Sequence, residues 1–243
     1  MKVLVVGASG ATGKLVVSQL LSRGVEVTAI VRSLDSLPDN ANLLKIKASV
    51  HDLTDAEMAS HLKGCSAVVS CLGHNLTFKG MFGKPRWLVT DTVQCICRAI
   101  SANNIGSTVK VILMNTTGNS NRDIPEVPPL SQRIVVYILR VLLSPHADNE
   151  KAADFLRTKI GQNNNAIEWL AVRPDALTDE EEVTEYDVYA SPIRNAIFDS
   201  GATSRINVAN FMAELILIES IWAKWKGKMP VIYNRVKHVG QTE

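Results

Sequence analysis

The chain has 243 residues, which suits one large α/β domain, and 46% of them are apolar, enough to bury a substantial core. The formal net charge is only +2 and the basic residues are scattered, which excludes the electrostatic stripe that holds a nucleic-acid backbone. Four cysteines (Cys65, Cys71, Cys95, Cys97) are too few and too irregular for a disulfide framework, and the five histidines form no metal-ligand spacing with them.

Met1-Lys2 leads directly into a β-rich run, with no signal-peptide pattern. The longest apolar stretch, Ile134 to Leu143, is interrupted by Arg140 and is too short to span a bilayer. A cytoplasmic protein with no membrane segment and free thiols is the expectation.

Along the chain, short β-branched runs alternate with helical patterns. Val3–Val6, Val25–Val31, Leu43–Ile46, Ala67–Cys71, Val109–Met114 and Ile167–Val172 read as strands. Most are continuous apolar runs, as a parallel sheet covered on both faces requires. Helices are predicted over about 12–23, 54–62, 86–104 and 147–161, with Thr54 and Glu57 forming a capping box for the second. Apolar residues at spacings of three and four predict one long helix over about 207–225, and Val231–Tyr233 a last short strand. The rhythm predicts a Rossmann-like, doubly wound parallel sheet in a single domain over 1–243, with a small C-terminal substrate region. Two segments break that rhythm, one polar and Pro-rich from Thr116, the other acidic from Asp175. Both follow C-terminal strand ends, where open α/β sheets bind ligands, so 116–145 and 175–205 are the expected rim of a substrate site. Within the first rim, Ile134–Leu139 reads as a helix apolar on more than one face and therefore buried, as core, pocket cap or dimer surface.

Gly7-Ala8-Ser9-Gly10-Ala11-Thr12-Gly13 follows the first strand and opens the first helix. That context gives the spacing its meaning. Gly7 permits a tight turn, Gly10 lets backbone approach a pyrophosphate, and Gly13 allows close helix–strand packing. The helix start then presents unpaired N–H groups and a positive dipole end to phosphates, with hydroxyls of Ser9 and Thr12 as further donors. A dinucleotide is the expected ligand. After the second strand stands Arg32-Ser33, where an acidic residue would bond a ribose 2′-hydroxyl. Arginine and serine suit a 2′-phosphate, so NADP(H) is preferred and NAD(H) is the second choice.

These motifs resemble the atypical short-chain dehydrogenase/reductases, especially their NAD(P)H-binding, NmrA-like branch, over nearly the whole chain. The resemblance rests on Gly7–Gly13, Arg32, Asp52 after the third strand, Ser70-Cys71-Leu72-Gly73 after the fourth, Thr116-Thr117 after the fifth, and Val172-Arg173-Pro174 after the sixth. It implies that Asp52 and Leu53 touch the adenine and that Cys71, Leu72 and Gly73 pass beside the ribose and phosphates. Thr116 would stand at the cofactor, and Arg173 and Pro174 would line the nicotinamide end. Asp52 reads equally well as a turn residue before the capping box.

Typical members of that superfamily use a Ser/Thr–Tyr–Lys set, with tyrosine four residues before lysine as proton donor. Thr117 matches the Ser/Thr and Lys151 the lysine, which would also hold the ribose. The residue four before Lys151 is Ala147, so the usual donor is missing. His146 adjoins that position, either as an acid or simply as the residue that opens the helix. Reduction of a simple ketone needs a delivered proton, whereas a flavin, quinone or conjugated carbonyl needs chiefly a stacked hydride donor. The expected partner is therefore a planar or conjugated small-molecule acceptor. The alternative is a non-catalytic NADP(H) sensor that reports to a regulatory protein partner.

Overall fold

A computed structural model describes residues 1–74, 85–103, 107–126, 129, 131, 135–138 and 144–235. The chain order is β1 (Lys2–Val6), α1 (Ala11–Leu21), β2 (Glu26–Val31), β3 (Leu43–Lys47), α2 (Asp55–Leu62), β4 (Ala67–Ser70), α3 (Leu88–Asn103) and β5 (Val109–Met114). It continues with α4 (Ser144–Phe155), β6 (Ile167–Pro174), β7 (Ala176–Thr178), β8 (Tyr186–Tyr189), β9 (Ala202–Ser204), α5 (Arg205–Leu217), α6 (Glu219–Trp225) and β10 (Val231–Asn234).

An eight-stranded sheet has the order β3-β2-β1-β4-β5-β6-β10-β8, parallel except for β8, which pairs antiparallel with β10. This is the doubly wound Rossmann-like arrangement, in which strand order reverses beside β1. Side chains of a strand alternate between its two faces, and β1 shows the consequence directly. Val3 and Val5 join the core under α1, α5 and α6, while Leu4 and Val6 join the core under α2, α3 and α4. Both faces are dry from Val3 to Val6, so those positions must be apolar. Thr54 and Glu57 do form the capping box at the start of α2.

Three expectations are corrected. The helix predicted over 207–225 is two helices, α5 and α6, bent by 103° where Ile218 is extended. The bend lets Trp222 bury completely while its indole N–H donates to Glu168 at 2.5 Å, which a straight helix would forbid. The acidic segment after β6 is not irregular throughout, since β7 pairs with β9 and β8 extends the main sheet past β10. Of the apolar helix 134–139, Arg133, Ile134, Leu139 and Arg140 lie outside the described residues. Residues 135–138 are helical, but Tyr137 and Ile138 are exposed rather than buried. Periodicity reports apolarity, and cannot say whether a partner surface exists. Among the described residues no single helix is long and apolar enough to cross a membrane.

Phe211 on α5 is buried against the α1 face, its ring edge-on to Tyr186 at 6.2 Å between centroids. Phe211→Ala should cost about 3–5 kcal/mol, read as a lower urea midpoint with an unchanged slope.

Candidate dinucleotide and acceptor site

The phosphate loop sits where β1, β4 and α1 meet. Gly7 has φ +73°, and a β-carbon there would lie 2.7 Å from the Cys71 carbonyl carbon and 2.8 Å from Leu72 N. Such a carbon at Gly13 would lie 2.1 Å from the Gly7 carbonyl oxygen, and at Gly10 3.2 Å from the same atom. Glycine is therefore a steric requirement at Gly7 and Gly13. The turn is closed by the Gly10 N–H donating to Gly7 O at 3.0 Å, and Lys14 N–H closes the first helical bond onto Gly10 O. Between them, the N–H groups of Ala11, Thr12 and Gly13 have no partner among the described residues. A helix of 11 residues thus offers three adjacent donors at its positive end, and the glycines leave room for a diphosphate to approach them. These residues fit a dinucleotide.

Around this loop the structure gathers several predicted positions. Arg32 and Ser33 are exposed just past the end of β2, and the Arg32 guanidinium makes no hydrogen bond among the described residues. Asp52 is exposed at the end of a short 3-10 turn, with Leu53 partly buried against the core. Cys71 and Leu72 lie against Gly7, followed by exposed Gly73. Burial pushes the Cys71 thiol up to about 12, so it remains a protonated lining group at neutral pH.

The side chains of the predicted catalytic trio face different neighbours. The Thr117 hydroxyl is buried and donates to Asp175 Oδ1 at 3.1 Å. Burial raises the Asp175 pKa, against the opposing hydrogen bond from Gly201 N–H. Thr116, the less buried neighbour, accepts from Gly118 N–H through its Oγ1. His146 packs on Gly118: a β-carbon built there would be 3.3 Å from His146 Cε1. Lys151 instead stands over the Trp87 ring, its Nζ 4.3 Å from the centroid.

Arg173 departs furthest from expectation. Its side chain is fully buried, and all five N–H donors are engaged by Met229 O, Asn119 O, Ala190 O and both Glu126 oxygens. The guanidinium ties both rim segments to the end of the sheet. Pro174 is buried as well, its carbonyl accepting from Thr117 N–H.

Sequence reasoning missed His74 and Asp148. Asp148, fully buried on α4, accepts His74 Nε2–H at 2.7 Å and the N–H groups of Val89 and Thr90 at 2.8 and 2.9 Å. The imidazole is 5% exposed, and none of the described residues takes its Nδ1. No motif couples positions 74 and 148. The only available signal was a histidine directly after the fourth strand's glycine.

Fold and loop define a dinucleotide-binding α/β protein. A family profile for NAD(P)H-binding proteins matches residues 7–218, and the chain belongs to that family. No curated protein matches the chain by sequence. Among solved structures, it is similar to the oxidoreductase ylbE from Lactococcus lactis, with TM-score 0.68, 21% identity, and 97% and 91% of the two chains covered. It is similar also to a candidate NADH-flavin reductase from Streptococcus pneumoniae, with TM-score 0.66, 21% identity and coverage of 97% and 100%. A wide-type short-chain dehydrogenase/reductase from Veillonella parvula, in complex with NADP, gives TM-score 0.70, 16% identity and coverage of 98% and 96%. At these identities the structural likenesses concern the fold.

Two outcomes follow from this geometry. Gly13→Ala should push the start of α1 away from the Gly7 carbonyl and reduce NAD(P)H affinity by about tenfold or more by calorimetry. Glu126→Gln should leave the buried Arg173 without its counter-charge and cost about 3–5 kcal/mol in urea unfolding.

Proposed function

We propose that this protein is an NADPH-dependent reductase of a planar or conjugated small-molecule acceptor. The observation that carries this reading is the pairing of a complete phosphate cradle with an incomplete carbonyl-reduction set. Ala147 stands where a tyrosine would face the substrate, and Thr117 spends its hydroxyl on Asp175. When bound, the reduced cofactor would supply a hydride.

The protein's own contribution divides by element. Ala11, Thr12 and Gly13 N–H groups hold the diphosphate, and Arg32 with Ser33 holds the 2′-phosphate. Asp52 and Leu53 flank the adenine, while Cys71, Leu72 and Gly73 line the ribose side. The segment around Thr116 and Gly118, with His146 packed on it, borders the acceptor. A conjugated acceptor suits such a site because its charge spreads over several atoms during reduction, so the barrier depends less on one donor at one position. The flavin reductase among the structural relatives points to the same class of acceptor.

NADPH oxidation followed by absorbance across flavins, quinones, enones and simple ketones should show turnover with a conjugated member and none with simple ketones. Tight NADPH binding without turnover on any member would reject the reading. Arg32→Ala should weaken NADPH by about tenfold to a hundredfold, the worth of charge-assisted hydrogen bonds to one phosphate, and leave NADH unchanged. Equal losses for both cofactors would remove the preference for NADP(H).

A further inference from the structure

We propose that His74, held by Asp148, is the proton donor of this reductase, and that the acceptor is a conjugated carbonyl whose reduced form passes through an enolate. The inference rests on the reductase reading above. It starts from the dyad itself. Asp148 uses one carboxylate oxygen for Thr90 N–H and the other for Val89 N–H and His74 Nε2–H, so the start of α3 fixes the carboxylate and the carboxylate fixes the ring. Thr90 Oγ1 also donates to the Asp148 carbonyl at 3.0 Å, clamping α3 to α4 at this point. A buried carboxylate satisfied at both oxygens holds its geometry and that of the ring it accepts from. With Nε2 committed, Nδ1 is the ring atom left for a ligand. A base or acid oriented by a carboxylate is the arrangement that catalytic histidines share across unrelated folds.

Position supplies the second argument. His74 follows Cys71 and Leu72, whose backbone abuts Gly7 of the phosphate loop, by only two residues. Asp148 lies one helical turn before Lys151 on α4. The pair therefore links the segment beside the phosphate cradle to the helix that carries Lys151. The charged and titratable groups on α3 and α4 around it are Asp91, Cys95, Cys97, Arg98, His146, Glu150, Lys151 and Asp154, with Cys71 and Arg86 on the flanking segments. Cys71 stays a thiol, and Lys151 is drawn to Trp87.

His74 is not where the tyrosine would be, and this is why the acceptor should be conjugated. In a simple ketone the carbon that takes hydride bears the oxygen that takes the proton. In an enone the hydride bonds to the β-carbon, the C=C electron pair shifts, and negative charge appears on an oxygen three bonds away. Protonated His74 then breaks its Nδ1–H bond as the enolate O–H bond forms, leaving a neutral imidazole that solvent reprotonates. The nicotinamide is oxidised, the acceptor is reduced, and Asp148 keeps Nε2–H throughout.

The test uses a binding readout beside a kinetic one. p-Nitrophenolate, a planar oxyanion that mimics the enolate, should bind the NADP⁺ complex, and His74→Gln should weaken it by about tenfold to a hundredfold, the worth of one hydrogen bond to a charged group. NADP⁺ affinity should stay within twofold of wild type. In stopped-flow NADPH oxidation by an enone, His74→Gln should lose about 10²-fold or more in rate and should not slow further in D2O. Asp148→Asn should show the same loss of the D2O effect. If circular dichroism shows that either variant does not fold, the wild type still decides, because its enone reduction should slow in D2O and an unchanged rate would overturn the proposal. Parallel loss of NADP⁺ affinity would make His74 a cofactor ligand and overturn it, as would unchanged phenolate binding. Wild-type reduction of enones with an unaffected His74→Gln variant defeats the dyad alone, whereas no reduction of any acceptor by wild type defeats the reductase reading with it.

Discussion

Backbone-to-backbone contact at the Gly7 turn is the constraint on which the remainder depends. The turn rests on the peptide after β4, and the start of α1 rests on the Gly7 carbonyl, with no room for a β-carbon at either contact. Three surfaces are thereby fixed relative to one another: the ends of two neighbouring strands and a helix start with open donors. A dinucleotide site needs just this, because backbone dipoles hold a diphosphate only if they converge without reorganisation. The two dry faces of the sheet supply the rigidity behind it, since Val3–Val6 of β1 and Trp169–Val172 of β6 divide between the two cores.

A second fixed point lies further along the sheet, at Arg173. A fully buried guanidinium is tolerable only where each donor has an acceptor, and here the acceptors are four residues on three separate segments. The arginine thus links the segment after β5, the segment after β8 and the entry to β10. Thr117 and Asp175 extend the link, through the Asp175 carboxylate that also accepts from Gly201 N–H at 2.9 Å. Residues that resemble cofactor or catalytic positions here serve to hold the acceptor rim in place. The chemistry has room to move to other residues, and the His74–Asp148 pair is the candidate the packing of α3 on α4 creates.

The dinucleotide end of the site was readable from order along the chain. Its determinants are local: three glycines within seven residues, a strand before them, a helix after them, and a basic residue at the next strand end. The acceptor end was not readable in that way. Thr117, His146 and Lys151 match or adjoin a family pattern, yet each side chain takes its direction from a neighbour far along the chain: Asp175, Gly118 and Trp87. The bend between α5 and α6 escaped detection for a related reason. The spacing of apolar residues continues through Ile218, and only the demand that Trp222 reach Glu168 shows where the helix stops.

From the sequence alone came the doubly wound sheet, the phosphate loop and the class of ligand, because strand burial and glycine sterics act over a few residues and leave their mark in residue type. Tertiary structure alone decided that Arg173 is a clamp, that Thr117 faces Asp175, and that a histidine and an aspartate 74 positions apart form a pair. Hydrogen bonds are directional and short. Which donor meets which acceptor depends on where helices and strand ends come to rest, and no local spacing encodes that.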